Sequence, residues 1–183
     1  MQIELSDNYK WKCLVAMPSM QDQVFGGSVI YITEHSNISG AVGVIINRNI
    51  PDSKHLDEFG FTKFKNQWGH IPLHFGGPVE HNTGFVLHQT SDLRGLTLTG
   101  SRQKIEELAQ EDKIQPYMLA AGYCSWGSFQ LEREVRANSW LVLDGIAEHL
   151  LADIEPQARY QEALRLSGIS NLAFFDFNGS GNA

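Results

Sequence analysis

Short apolar runs that stop abruptly at polar or turn-forming residues constrain this fold more than any other feature of the sequence. Residues 14–17 are followed by Pro18, and residues 41–46 are followed by Asn47 and Arg48. A third run ends at the turn-forming residues 76–78. Aliphatic, β-branched runs of this length are typical of strands in a buried sheet. The sequence therefore predicts a sheet whose strand ends bring a polar patch to one surface.

The order of strand and helix patterns predicts a mixed α+β domain. Turn residues 37–40 separate two strand patterns and favour an antiparallel hairpin. The predicted strands are residues 12–17, 28–34, 41–46, 71–75, 84–88, 93–99, 116–121 and 139–143. Helical patterns occupy residues 101–110, a segment that begins at Ser128, and a segment that begins at Pro156 and stops at Gly168. Strands that come early and helices that come late favour α+β over an alternating βαβ order.

Length and charge limit what the chain can be. Its 183 residues are predicted to form one domain, 1–183, with a frayed tail at residues 176–183. With 14 basic and 21 acidic residues, the net charge is −7, which disfavours direct nucleic-acid binding. The sequence contains neither an apolar run of membrane-spanning length nor a secretory signal pattern, and its two cysteines fit a reducing cytoplasm.

Several short motifs follow one another in an order that identifies a family. They are Leu14-Val-Ala-Met-Pro18, Gly43-Val-Ile-Ile-Asn-Arg48, Phe75-Gly-Gly-Pro-Val79, Gly84-Phe-Val-Leu-His88 and Gln130-Leu-Glu132, together with Trp126 and Trp140. Taken in this order, over about residues 10 to 170, they resemble the AlgH/YqgE family of bacterial proteins.

The resemblance implies a fold and leaves the activity open. It implies a branched β-sheet that is partly closed into a small barrel and surrounded by helices. Members of this family are cytoplasmic bacterial proteins without an agreed activity, and some are labelled transcriptional regulators. The chain departs from the family pattern at Cys124, where a small residue is usual, and at Ser128 and Phe129, where a Pro/Gly-type turn is usual.

The strand-end patch is the predicted ligand-binding site. Arg48 offers a planar fork for an anion, but a structural alternative is favoured, in which Asn47 caps a turn and Arg48 pairs with Glu34 or Glu80. The double glycine, Gly76-Gly77, could form a backbone nest for an anion, although a tight turn forced by backbone crowding is favoured. The predicted ligand-binding residues are Pro18, His35, Asn47, Arg48, Gly76, Gly77, Pro78 and Trp126.

No catalytic constellation, metal site or cofactor site is predicted from the sequence. His35, His74 and His88 lie near strand ends without the spacing of metal ligands. Ser125 lacks the flanking glycines of a nucleophile elbow. For Cys124 a small buried hydrophobe is favoured, with a redox-sensing thiol as the alternative. Trp residues such as Trp126 more often close a core than line a cleft.

Three functions remain as hypotheses. The leading one is a cytoplasmic, non-enzymatic regulatory or adaptor protein that binds a small anionic ligand or a protein partner. The alternative is a hydrolase or transferase that acts on a small phosphorylated or acylated molecule, with His35 or Glu34 as general base. The weakest is a DNA-binding transcriptional regulator.

Overall fold

Eight strands and five α-helices form the part of the chain that the computed structural model describes, which is residues 8–50, 56–89, 95–110 and 116–169. The strands are β1 Cys13–Ala16, β2 Val29–Ser36, β3 Gly40–Ile45, β4 Leu73–Phe75, β5 Val79–Gln89, β6 Leu96–Thr99, β7 Pro116–Trp126 and β8 Trp140–Leu143. The helices are α1 Lys65–Trp68, α2 Arg102–Gln110, α3 Gln130–Arg136, α4 Ala147–Asp153 and α5 Arg159–Leu166. The mixed α+β class is therefore confirmed, whereas the predicted tail lies outside the described residues.

The strands form one sheet in the order β6-β5-β7-β3-β2-β1-β8. Strands β2 and β3 form the predicted antiparallel hairpin, in which Ile30 lies opposite Ile45. Every pairing is antiparallel except that of β4 with β7. The long strand β7 is the branch point, because it pairs with β5 and β4 along its first part and with β3 at its end.

The expectation that the sheet partly closes into a barrel is corrected by the strand pairing. Among the described residues, β6 pairs only with β5 and β8 pairs only with β1, so the two ends of the strand order do not meet. The physical reason is the branch at β7, because residues 116–123 pair with β5 and β4 whereas residues 124–126 pair with β3, and the sheet ends in two separate edge strands.

Apolar side chains cover both faces of the central strands. One face, which includes Val15, Tyr31 and Val44, packs against α4 and α5. The opposite face, which includes Leu14 and Ile45, packs with Trp126, Trp140 and Leu131 of α3. Burial on two faces explains why these strands are almost continuously apolar in the sequence instead of alternating.

The helices cover this sheet through short amphipathic stretches. Ser101 caps the N-terminus of α2 as predicted, since its hydroxyl oxygen accepts a hydrogen bond from the Lys104 amide at 3.4 Å. Ile105 is buried from that helix, and Ala163 and Leu164 are buried from α5. No helix in the described part of the chain is long and apolar enough to cross a membrane.

Candidate functional site

The structure brings the end of β3 and the double glycine after β4 side by side. The Phe75 amide donates to the Arg48 carbonyl at 2.8 Å, and the Ile45 amide donates to the Gly76 carbonyl at 2.8 Å. Asn49 forms an isolated bridge with His74. These backbone contacts place Asn47, Arg48 and residues 76–78 in one neighbourhood, although ligand binding there stays a prediction.

Asn47 and Arg48 fasten the loop that precedes β2. The Asn47 side chain accepts from the Val29 amide at 2.8 Å and donates to the Gly27 carbonyl at 2.9 Å. Arg48 Nη2 donates to the Gly26 carbonyl at 3.0 Å. Arg48 forms no ion pair with a carboxylate among the described residues, so the expected pairing with Glu34 or Glu80 is not observed.

Close contact between two backbones accounts for the double glycine. A Cβ atom on Gly76 would lie 2.3 Å from the Gly122 carbonyl oxygen, and one on Gly77 would lie 2.2 Å from the Tyr123 carbonyl oxygen. The Gly76 amide already donates to the Ala121 carbonyl at 2.8 Å, so it cannot also serve an anion nest. The arrangement fits a crowded turn, with Pro78 exposed beside it.

Pro18 and Trp126 have local structural roles. Pro18 lies in the turn after β1, where the Met20 amide donates to the Met17 carbonyl at 2.8 Å. Trp126 is 4% exposed and its indole Nε1 donates to Glu134 at 2.9 Å. Trp140 donates to the same carboxylate oxygen at 2.8 Å, so one acid satisfies two buried indoles.

His35 lies inside a hydrogen-bonded junction rather than at an open site. Its side chain is 2% exposed. Its Nδ1 accepts from the Tyr9 amide at 3.2 Å, which leaves the ring proton on Nε2 for donation to Glu132 at 3.0 Å. Glu34, the other candidate base, is bonded to Lys10 at 2.9 Å. Because both ring nitrogens of His35 are engaged, neither is free to remove a proton from a substrate.

The sequence did not predict a buried pair formed by His74 and Arg159. His74 is fully buried, its Nε2 accepts from Arg159 Nη1 at 3.1 Å, and its Nδ1 donates to the Pro72 carbonyl at 3.2 Å. Burial lowers the pKa of His74 to about 4, and the positive charge of Arg159 adds to this effect. Burial also lowers the pKa of His88, whose Nε2 bonds Thr99 at 2.9 Å.

The free energy of unfolding is expected to depend on pH through His74. Histidine titrates near pH 6.5 in an unfolded chain but near pH 4 here, so the native state favours the neutral ring. The stabilising contribution is therefore complete above about pH 6.5 and is lost progressively as the pH falls to about 4. Its full size is roughly 3 kcal/mol. Urea unfolding at about pH 7, 5.5 and 4 should show a shallower pH slope for His74→Gln than for wild type.

His81 provides the matched control for this measurement, because it is an exposed histidine on β5. His81→Gln should keep the wild-type pH slope. Equal slopes for His74→Gln and His81→Gln would contradict the assignment of the pH dependence to His74.

Both cysteines are buried thiols. Cys124 is fully buried and its thiol donates to the Gly76 carbonyl at 3.4 Å. Burial raises the pKa of Cys124 to about 12, although the nearby charge of Arg48 opposes the increase. Burial raises the pKa of Cys13 to about 12 as well, with a smaller contribution from Asp144. Such thiols are protonated at neutral pH, which fits the interpretation of Cys124 as a small hydrophobe. In the parts of the chain that the structure covers, no three potential metal-ligating side chains lie together.

Comparison with known sequences identifies one family over most of the chain. Residues 13–171 match the AlgH-like family. A UPF0301 protein from Cupriavidus metallidurans is 37% identical over 166 residues, which cover 85% of this chain and 86% of that protein. A UPF0301 protein from Neisseria meningitidis serogroup C is 37% identical over 183 residues, which cover 93% of this chain and 96% of that protein.

Two solved structures share the fold. The solution structure of the AlgH protein from Pseudomonas aeruginosa superposes with a TM-score of 0.69 at 28% identity and covers 100% of both chains. A crystal structure of a Corynebacterium diphtheriae protein superposes with a TM-score of 0.64 at 21% identity and covers 87% of each chain. At that identity the second likeness concerns the fold alone.

Proposed function

The chain belongs to the AlgH-like family, and from that premise we propose that it is a cytoplasmic, non-enzymatic regulatory or adaptor protein that binds a small anionic ligand at Arg48. The small number of hydrogen-bond partners of the Arg48 guanidinium is the observation that supports this proposal. The side chain is half-buried, donates to the Gly26 carbonyl, and pairs with no carboxylate among the described residues. Since a guanidinium has five N–H donors, several remain for a carboxylate or phosphate.

The surroundings of Arg48 hold it in place before a ligand arrives. Its own carbonyl accepts from the Phe75 amide, and Asn47 beside it is bonded to both Val29 and Gly27. A binding group that is already ordered loses less conformational entropy on association. The positive charge of Arg48 also opposes the rise in the pKa of Cys124 that burial causes. The Cys124 thiol donates to the Gly76 carbonyl, so this charge acts close to the double-glycine turn.

Binding has more support than catalysis because the candidate catalytic groups are either hydrogen-bonded within the protein or buried and protonated. His35 has both ring nitrogens bonded, and Cys124 is a buried, protonated thiol. The alternative of a hydrolase or transferase with His35 or Glu34 as base is therefore the second choice. A DNA-binding regulator has the least support, because a net charge of −7 opposes association with phosphate backbones.

Replacement of Arg48 by alanine is expected to weaken anion binding strongly without unfolding the protein. The change removes one hydrogen bond to a backbone carbonyl, which contributes about 1 kcal/mol to stability. The same change removes the planar fork, so the affinity for inorganic phosphate or acetate should fall at least about tenfold. Chemical-shift titration of both variants with each anion measures the affinity, and urea unfolding measures the stability.

Arg165→Ala is the matched control, because Arg165 is an exposed arginine already paired with Glu162 at 2.8 Å. This variant should bind phosphate and acetate as the wild type does. A loss of several kcal/mol in the unfolding free energy of Arg48→Ala would show that Arg48 is structural. Wild-type protein that binds neither anion would also contradict the proposal.

A further inference from the structure

A cleft of about 410 Å³ lies outside the strand-end patch, and the charged side chains that line it are acidic. Its walls come from the turn before β1, from β2, from the start of β6 with the residue before it, and from the start of α4 with the turn before it. The residues that matter to its chemistry are Trp11, Tyr31, Gly95, Asp144 and Glu148. The volume lies in the range of clefts that bind small molecules. Neither Arg48 nor any other residue of the strand-end patch lines it.

Two unpaired carboxylates give this cleft its charge. Asp144 and Glu148 are exposed and form no ion pair with any described residue. The ammonium of Lys10 lies 5.2 Å from the centre of the Trp11 ring. Lys10 is bonded to Glu34 at 2.9 Å and is not one of the residues that line the cleft. The cleft therefore carries two negative charges without a counter-ion from the described chain.

The Tyr31 hydroxyl is a buried polar group with an unused donor. Tyr31 is 1% exposed, and its oxygen accepts from the Leu96 amide at 2.9 Å. Its proton is donated to no other described residue. Burial raises the pKa of Tyr31 to about 12, and the charges of Glu148 and Asp144 add to this increase, so the hydroxyl keeps its proton. Buried hydroxyl groups usually donate their proton, so the Tyr31 hydroxyl can serve an acceptor on a bound molecule.

The aromatic wall is fixed by the backbone. Trp11 has a φ of 68°, and its amide donates to the Ile32 carbonyl at 2.7 Å. Gly95 leaves room for both the indole and the Tyr31 hydroxyl, because a Cβ atom there would lie 2.7 Å from the ring and 2.8 Å from the hydroxyl. The indole is thus held at one side of the cleft, with carboxylates at its rim. An aromatic face beside negative charges is the arrangement that proteins use for organic cations.

From these four observations we propose that the cleft binds a small organic ammonium ion. The ammonium head pairs with Asp144 and Glu148, its alkyl groups lie on the Trp11 ring, and the Tyr31 hydroxyl offers a donor to an oxygen of the ligand. The ligand is a free amine of a few carbons that also carries an oxygen acceptor, since the cleft is small and its aromatic wall needs apolar contact as well as charge. Butylammonium supplies the ammonium and alkyl parts of such a ligand. This site is independent of anion binding at Arg48.

Titration with butylammonium chloride tests the proposal. The indole N–H resonance of Trp11, assigned with Trp11→Phe, should shift and saturate, whereas sodium chloride at the same ionic strength should leave it unchanged. Glu148→Gln and Asp144→Asn should each weaken butylammonium binding about tenfold, because each removes one charge that meets the cation. Both carboxylates are exposed, so neither variant threatens the fold.

Glu107→Gln is the matched control, because it removes an exposed carboxylate of α2 that does not line the cleft. It should bind butylammonium with wild-type affinity, and so should Arg48→Ala. Equal weakening by Glu107→Gln and Glu148→Gln would overturn the proposal, as would a shift that sodium chloride reproduces. Tighter binding of the tripeptide Gly-Lys-Gly than of butylammonium would overturn the free amine as ligand and indicate a lysine on a protein partner.

Discussion

Replacement of Arg159 by methionine is expected to destabilise the native protein by about 4 kcal/mol. Arg159 is 4% exposed, and its guanidinium donates to carbonyl oxygens of the β3 end and of α4, and to His74 Nε2. The carbonyl acceptors belong to Ile46, Leu150, Leu151 and Ile154. Methionine fills a similar volume but leaves these buried acceptors without a donor, and each unsatisfied group carries a desolvation cost.

The buried charge itself explains why the effect is large. Burial lowers the pKa of Arg159 to about 10, but the group is still positively charged at neutral pH. Its hydrogen-bond acceptors among the described residues are carbonyl oxygens and His74, and the charge of Glu155 acts on it without a hydrogen bond. One side chain therefore joins α4, the turn before α5 and the sheet. The exposed Arg165 gives the control, since Arg165→Met should cost less than about 1 kcal/mol. Similar urea midpoints for the two variants would contradict this account of Arg159.

Substitution of Gly77 by alanine is expected to destabilise the protein by about 4 kcal/mol. The added Cβ atom would lie 2.2 Å from the Tyr123 carbonyl oxygen and 2.7 Å from the Cys124 nitrogen. Both atoms belong to the backbone of β7, which is fixed by strands on either side and cannot retreat. A φ of 154° adds strain to any residue with a side chain.

Gly127→Ala separates this steric effect from a general effect of removing glycine. The nearest atom to a Cβ at Gly127 is the Gln130 side-chain oxygen at 3.8 Å, and Gly127 has no positive φ. We expect its unfolding free energy to change by less than about 1 kcal/mol. Urea unfolding compares the two variants directly. A Gly77→Ala protein as stable as Gly127→Ala would disprove the crowding at the double glycine.

The sequence predicts those parts of the fold that depend on local pattern. The β2–β3 hairpin follows from two strand runs around a short polar turn, and α2 follows from its cap and apolar stripe. Strand β7 was expected to end at Gly122, but it continues to Trp126. Gly122 has a φ of 74°, and a Cβ there would lie 2.4 Å from the Gly77 carbonyl oxygen. The glycine therefore permits a close crossing inside the strand, a role that sequence alone does not separate from a strand end.

Helix α4 was not predicted, although its signal is present. Ala147, Leu150 and Leu151 are buried and follow the i, i+3, i+4 spacing of a helix face. The stretch has seven residues and no side-chain cap, so the pattern is short enough to pass unnoticed. The partial closure into a barrel, in contrast, was inferred by resemblance, and the strand pairing of this chain shows an open sheet instead.

Side-chain partners at the candidate sites depend on contacts that local pattern does not encode. The strand-end position of Asn47 and Arg48 could be read from the sequence, but their bonds to the loop before β2 could not. Arg159 and His74 are 85 positions apart. The amine cleft likewise joins residues from four separate segments, and none of them forms a recognisable motif with its sequence neighbours.

The branch at β7 also decides when the chain can complete its fold during synthesis. Strands β1, β2 and β3 leave the ribosome first, but Val42 of β3 pairs with Ser125, and Leu14 of β1 pairs with Val142. Both edges of this early three-stranded unit therefore stay open until the last third of the polypeptide has emerged. Open apolar edges invite pairing with other nascent chains. The time between translation of β3 and of β8 is thus the period in which these strand edges have no partner from their own chain.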